Sequence, residues 1–280
     1  MRREAEWLLL DRRALSRAYD NSGAVADSAA HLANWRARSD SLRAEPGHNL
    51  DIPYGPRPRN RIDLFACGLP KAPLIAFIHG GYWQRNAKEG FACMAEGPLS
   101  LGLDVALIGY TLAPEVSLSG IAEEIRAALR VLRARDDTNG LGRRRFVVSG
   151  WSAGGHLAAL ALDWPEVDAG LAISGIFDLA PIRQTILNEA LQLTAAEVET
   201  LSPIRQVSRC AAPLVIAYGT EELPELQRQS LEYAAARKAT VRPTQLKVIQ
   251  LRNHFSILED LILPEGILAR ALFELACESC

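Results

Sequence analysis

The sequence lacks a marked charge of either sign, any apolar run long enough to span a bilayer, and any dense cluster of cysteines. Lys plus Arg number 31 against 33 for Asp plus Glu, a formal charge of −2, so no electrostatic pull toward nucleic acid or an anionic membrane is expected. Small neutral or singly charged ligands fit this balance better. The five cysteines, Cys67, Cys93, Cys210, Cys277 and Cys280, are odd in number and scattered, apart from the weak Cys277-x-x-Cys280 spacing. They read as free thiols in a reducing compartment. At the N-terminus Leu8-Leu9-Leu10 runs straight into Asp11-Arg12-Arg13, too short a run for a secretory signal, and a cytoplasmic location is expected. Nothing specifies an oligomer, and a homodimer is allowed.

What is present is an apolar content of 49%, enough to fill a large core, arranged as alternating buried strands and helices. Residues 1–45 read as short polar, alanine-rich helices that lie over something else and are not core. Leu50–Gly55 and Asn60–Phe65 read as a hairpin around a proline-rich turn. A continuous apolar run follows at Pro73–Ile78, and further strands read at Asp104–Tyr110, Arg145–Val148, Ala169–Ser174, Pro213–Tyr218 and Gln245–Leu251, with helices near 88–100 and from Leu118 to Arg135 between them. Strands buried on both faces that alternate with helices predict a mostly parallel sheet flanked by helices, spanning 1–280 as a single α/β domain. Between Gly175 and Ser208 the alternation breaks into short helical pieces, which predicts a small helical lid insertion over 176–208.

The element richest in chemistry is Gly150-Trp151-Ser152-Ala153-Gly154, entered from the run ending at Val148 and left by the helix-like Gly155–Leu162. A serine at the apex of so sharp a strand-to-helix turn needs small residues two before and two after it, and Gly150 and Gly154 meet that need. An ordinary turn with a capping serine is the plain alternative.

A serine hydroxyl is a weak nucleophile at neutral pH, so Ser152 needs a base and a group that orients it. Of five histidines, His254 is the best placed, because Asn253-His254-Phe255 follows the last strand at the end where open α/β sheets bind ligands. His156 belongs on the helix behind Ser152, where it packs or caps, and surface positions account for His31 and His48. The orienting acid is sought after the preceding strand, in Gly219-Thr220-Glu221-Glu222-Leu223-Pro224-Glu225. Glu222 is the first choice and Glu221 the reserve, with solvated acids at the start of the next helix as the plain reading of Glu221 and Glu225. Donors for a developing oxyanion are expected from the turn His79-Gly80-Gly81-Tyr82-Trp83 and from the residue after the nucleophile: the N–H groups of Gly81, Tyr82 and Ala153. Tyr82 and Trp83 are candidates to bound a small acyl pocket or stack on a leaving group, and turn packing explains them equally well. Lid residues and Trp35 are weaker candidates for substrate contact.

Taken together these segments resemble the α/β-hydrolase superfamily, and within it the kynurenine formamidase (arylformamidase) and related carboxylesterase group. The resemblance runs through Tyr54-Gly55, Arg61–Phe65, His79–Trp83, Gly150–His156, Ser174-Gly175-Ile176-Phe177-Asp178-Leu179, Ser202-Pro203 and Arg228-Gln229-Ser230. It implies a serine hydrolase with Ser152 as nucleophile and His254 as base, and it places Glu222 on the position where the group usually has aspartate. No cofactor and no metal are implied. Three functions follow as expectations: cleavage of small carboxylic esters or amides through an acyl-enzyme, hydrolysis of N-formyl-L-kynurenine to kynurenine and formate, and binding without turnover on a hydrolase scaffold, the last motivated by the missing aspartate.

Overall fold

The computed structural model describes residues 6–207 and 212–277; Cys210, Cys280 and the last residue of the expected lid, Ser208, lie outside these. Eight strands form one sheet in the order β1-β2-β4-β3-β5-β6-β7-β8. They are β1 (Asn49–Pro53), β2 (Arg61–Phe65), β3 (Leu74–Ile78), β4 (Asp104–Ile108), β5 (Phe146–Trp151), β6 (Ala169–Ile173), β7 (Leu214–Gly219) and β8 (Thr244–Ile249). The β1–β2 hairpin and the β2–β4 pair are antiparallel, and β4 through β8 run parallel. Every residue of β3, β5, β6 and β7 is buried, as continuous apolar runs demand when helices cover both faces.

The helices in chain order are α1 (Arg12–Ala18), α2 (Asn21–Ala24), α3 (Ser28–Ala44), α4 (Glu96–Ser100), α5 (Leu118–Thr138), α6 (Ala153–Ala161), α7 (Ala180–Arg183), α8 (Asn188–Leu191), α9 (Ala195–Leu201), α10 (Pro224–Ala239), α11 (Glu259–Ile262) and α12 (Ile267–Cys277). A 3₁₀ stretch over Lys88–Ala95 fills the first part of the helix expected near 88–100. The short helices α7, α8 and α9 occupy the expected lid insertion, where the chain leaves β6 and has not yet reached β7. The cap of α5 is Ser117, whose side chain accepts the Gly120 N–H. Ser119 donates instead to Glu197 at 2.8 Å and ties α5 to α9. Among the described residues no helix is long and apolar enough to cross a membrane.

The N-terminal segment corrects the sequence reading. Leu15, Tyr19 and Trp35 are fully buried and belong to the two hydrophobic clusters on either side of the sheet. Trp35 packs edge-on to Trp151 and against Phe91 and Phe255, and its indole N–H donates to Glu259 at 3.0 Å. It therefore fills core behind the nucleophile turn and contacts no cleft. Tyr19 donates to Glu225 at 2.8 Å and accepts from Gln229 at 2.8 Å, while Gln229 Oε1 takes the Phe177 and Asp178 N–H groups. Burial raises the Tyr19 phenol well above its usual value, and the Glu225 carboxylate adds to this, so it acts as a donor throughout the working range. Glu225 is buried and also paired with Arg228 at 2.7 Å, so the solvated-acid reading fails for it.

Candidate active site

Each candidate side chain stands on the turn after a parallel strand, on the side of the sheet where the strands end. Ser152 follows β5 with φ 58° and ψ −118°, a conformation that costs about 1–3 kcal/mol in a non-glycine residue and survives only where its surroundings fix it. The fixing is visible: the Ser152 N–H donates to the Ile173 carbonyl at 2.8 Å, and its own carbonyl accepts from His156 N at 3.1 Å. A Cβ on Gly150 would collide with the Gly154 carbonyl, and one on Gly154 with the Ile78 carbonyl, so both positions need glycine for close approach of backbone to backbone.

His254 follows the short turn that leaves β8 at Ile249. An Asx turn shapes its loop: Asn253 Oδ1 accepts from Phe255 N at 2.9 Å and Ser256 N at 2.8 Å, and Ser256 Oγ accepts from Asn253 N at 2.9 Å. The Trp151 indole donates to the His254 carbonyl at 2.8 Å, so the nucleophile turn itself anchors the histidine loop. Glu222 Oε2 lies 2.9 Å from His254 Nδ1, and the glutamate side chain is fully buried. Its other oxygen accepts from Ser174 Oγ at 2.6 Å and from the Gly219 N–H at 2.7 Å. With the carboxylate on Nδ1, the imidazole presents Nε2 outward. Glu221, the reserve, is exposed, and its backbone N–H is spent on the Arg252 carbonyl.

The glycine turn is held from behind. The Gly80 carbonyl accepts from His79 Nδ1 at 2.8 Å and from Asn86 Nδ2 at 3.1 Å, while Tyr110 donates to the His79 carbonyl at 3.0 Å. In a trans peptide the N–H opposes the C=O, so pinning the Gly80 oxygen aims the Gly81 N–H the other way. Among the described residues the N–H groups of Gly81, Tyr82 and Ala153 donate to no protein acceptor. Three free donors, supplied by a turn and the first residue of α6, suit an oxygen that gains charge. Burial pushes the His79 imidazole down to about 4, so it stays neutral and its Nδ1 proton remains committed to Gly80.

Ser152 and His254 line one small cleft of ≈ 80 Å³ together with Gly81, Tyr82, Trp151 and Phe255, and with Asn21, Ser22, Leu32, Arg85 and Asn86. No hydrogen bond joins Ser152 Oγ to His254, as is common before a substrate tightens such a pair. Tyr82 lines the cleft with its hydroxyl tied off, donating to the Tyr19 carbonyl at 2.6 Å and accepting from Asn21 at 3.0 Å. Trp83 does not line it. Its φ of +60° turns the ring into the core, edge-on to His156 with centroids 4.9 Å apart, and it is fully buried. His156 packs as expected, donating through Nε2 to Leu201 O at 2.7 Å, with burial lowering its pKa to about 4. His31 and His48 are half-buried rather than surface residues, His31 stacked on Phe255 and His48 tilted against Phe65 with ring centroids 4.7 Å apart. Ser174, Asn21, Arg85 and Asn86 had carried no signal in the sequence, except that Ser174 opens a segment shared with the resembled group.

A mostly parallel eight-stranded sheet, helices on both faces and a strained serine between β5 and α6 define an α/β-hydrolase fold. The BD-FAE family model matches residues 65–163. A kynurenine formamidase from Salmo salar is 30% identical over 249 residues, covering 83% of each chain, and one from Danio rerio is 28% identical over 266 residues, covering 89% of each. Among solved structures, a Silicibacter sp. tm1040 protein assigned as a thioesterase superposes with a TM-score of 0.82 at 29% identity, covering 91% of this chain and 97% of that one. An esterase from Pyrobaculum calidifontis shares the fold at a TM-score of 0.70 and 18% identity, covering 88% of this chain and 92% of its own. The chain belongs to the kynurenine formamidase and esterase group of α/β-hydrolases and is a hydrolytic enzyme.

Proposed function

We propose that this hydrolase cleaves small carboxylic esters or amides by two-step acyl transfer at Ser152. His254 takes the Ser152 proton as Oγ attacks the carbonyl carbon, and the resulting oxyanion is held by the N–H groups of Gly81, Tyr82 and Ala153. Collapse breaks the bond to the leaving oxygen or nitrogen, which departs with the proton from His254. Water then attacks the acyl-enzyme by the same proton route and frees Ser152. Glu222 keeps the imidazole in the tautomer that leaves Nε2 free to accept and stabilises the imidazolium. The observation that carries the reading is the 2.9 Å contact between Glu222 and His254 beside a serine whose strained backbone offers its hydroxyl to the same cleft. A glutamate in contact with the histidine, where the resembled group usually has aspartate, favours turnover over binding on a non-catalytic scaffold.

The test is labelling with a fluorophosphonate probe, followed by hydrolysis of short-chain nitrophenyl esters and aryl amides. Labelling that vanishes in Ser152→Ala and His254→Ala, with turnover of at least one of these substrates, supports the reading; an unlabelled wild-type protein overturns it. A second reading, hydrolysis of N-formyl-L-kynurenine, is supported by the two fish relatives, which match this chain over more than four-fifths of its length. Incubation with that compound decides it: absence of kynurenine sinks it.

A further inference from the structure

Three arginines, Arg57, Arg59 and Arg61, stand at the turn between β1 and β2. Arg57 faces Glu115 at 3.3 Å and Glu124 at 3.4 Å, and Arg61 donates to carbonyls of its own turn. Arg59 does neither. Its half-buried guanidinium points at two backbone carbonyls further along the chain, Nε donating to Tyr110 O at 2.9 Å and Nη2 to Asn86 O. Among the described residues no carboxylate lies within ion-pairing distance of Arg59, so its charge is not neutralised by a neighbouring acid.

Both carbonyls belong to residues whose side chains hold the glycine turn. Asn86 Nδ2 donates to the Gly80 carbonyl and the Tyr110 hydroxyl to the His79 carbonyl. Two successive peptide groups of the turn are thus gripped by two side chains, and the main chains of those two residues share one guanidinium. Nε and Nη2 lie along one edge of a planar fork, which fixes the spacing and direction of two acceptors at once. A lysine keeps the charge without the fork, and a glutamine keeps a donor without the charge. Asn86 needs such a hold, since its φ of +73° is a conformation that a non-glycine residue keeps only where its surroundings determine it. The turn that presents Arg59 is itself fixed: buried Asn60 accepts from Arg57 N at 3.0 Å through Oδ1, and its carbonyl accepts from Tyr54 N at 3.2 Å. Burial first, and the Arg59 charge with it, keep the His79 imidazole neutral, so its Nδ1 proton stays on the Gly80 carbonyl.

We infer that Arg59 is a positioning residue for the reaction: through Asn86 and Tyr110 it sets the peptide planes at His79 and Gly80, and with them the aim of the Gly81 N–H on the oxyanion. Its unneutralised charge also favours negative charge forming in front of that turn. This rests on the acyl-transfer reading above and brings a hairpin at the edge of the sheet into the support of the site. Substrate in its ground state makes little use of the oxyanion donors, so Arg59 acts on kcat more than on KM.

The full-length protein and its Arg59→Gln, Arg59→Lys and Arg59→Ala variants are compared on a nitrophenyl ester. Rates are taken per Ser152 that the fluorophosphonate labels, so misfolded material does not count. In Arg59→Gln kcat falls about ten- to a hundredfold with KM little changed, a range running from a displaced donor to one lost outright. Binding of a boronic acid, which places a tetrahedral oxygen among the same donors, weakens by a comparable factor. Arg59→Lys falls between Arg59→Gln and wild type. In Arg59→Ala the half-buried slot is open to a small cation, and guanidinium chloride far below unfolding concentrations restores part of kcat where equal sodium chloride does not. A brace that only stabilises the fold gives the opposite pattern: lowered urea midpoints, with kcat per labelled site and boronic acid affinity unchanged. That result overturns the role of Arg59 and leaves acyl transfer at Ser152 standing. Absence of labelling in the wild type overturns the acyl-transfer reading instead.

Discussion

Ser174 donates its hydroxyl proton to Glu222 at 2.6 Å, on the oxygen that faces away from His254. One carboxylate oxygen is thereby fixed by Ser174 and the Gly219 N–H, and the other is left for the imidazole. The longer side chain of glutamate is accommodated because β6 and β7 supply these two donors side by side. Ser174→Ala removes one of the two, and kcat is expected to fall about tenfold, equivalent to about 1.4 kcal/mol, with KM little changed. Steady-state kinetics on a nitrophenyl ester measure the split.

Charge, not only geometry, is expected to matter at this position. Glu222→Gln keeps the shape but cannot stabilise the imidazolium, and it sets the wrong tautomer when its amide donates to Nδ1. A loss of about 10³–10⁴-fold in kcat is expected, as for the equivalent change in other Ser-His-acid sites. Glu222→Asp keeps the charge but retreats by one methylene from either His254 or Ser174, and sits between Glu222→Gln and wild type. Identical kinetics for the three proteins would show that Glu222 takes no part.

Asn86 is expected to act on the transition state through the Gly80 carbonyl. Its φ of +73° makes glycine the substitution of least backbone strain, so Asn86→Gly removes the Nδ2 donor while keeping the turn. A drop of about tenfold in kcat with KM preserved is expected, since the donors it aims matter only once charge has moved onto the oxygen. Weaker inhibition by a tetrahedral analogue such as a boronic acid accompanies it.

Two buried histidines make stability depend on pH. The pKa values of His79 and His156 are each depressed from 6.5 to about 4 by burial, so the unfolded chain binds protons that the folded one refuses. Their contribution is fully present above about pH 6.5 and is lost as pH falls toward 4, at a limiting slope of about 1.4 kcal/mol per pH unit for each. Urea titrations across that window measure the slope. His156→Gln keeps a donor near Leu201 and is expected to reduce it by about one proton.

Tyr19→Phe tests whether the N-terminal segment belongs to the core. It leaves a buried ring in place and removes the hydroxyl that Glu225 and Gln229 share, while Arg228 still serves Glu225 and the Asp178 carbonyl still accepts from Gln229, so a destabilisation of about 0.5–1.5 kcal/mol is expected from urea unfolding.

What was legible in the sequence was whatever chemistry requires at close spacing along the chain. Gly150 and Gly154 flank Ser152 because backbones must pass there, and the histidine and acid follow strands whose apolar runs are unmistakable. Trp83 was harder, since an aromatic beside a glycine turn reads equally well as cleft or core, and only the backbone twist at φ +60° sends it inward to His156. Tyr19 and Trp35 were hidden by their neighbours: Tyr19 caps a short, arginine-rich helix whose buried residue is Leu15, and Trp35 shares the buried face of α3 with Ser39 and Leu42, a stripe whose middle member is polar and carries no hydrophobic signal. Ser174, Asn21 and Arg85 reach the site only through contacts between elements far apart in the chain, which no local pattern encodes.

The hydroxyl of Tyr82 is held between the Tyr19 carbonyl and the Asn21 amide, so one wall of the cleft leans on the first two dozen residues of the chain. The reacting groups, in contrast, hang from the sheet. Tyr82 also offers one of the N–H groups proposed for the oxyanion, so the N-terminal helices brace the glycine turn as well as the cleft wall. Exchanging them among relatives of this fold is therefore expected to alter how fast the enzyme cuts along with what it accepts.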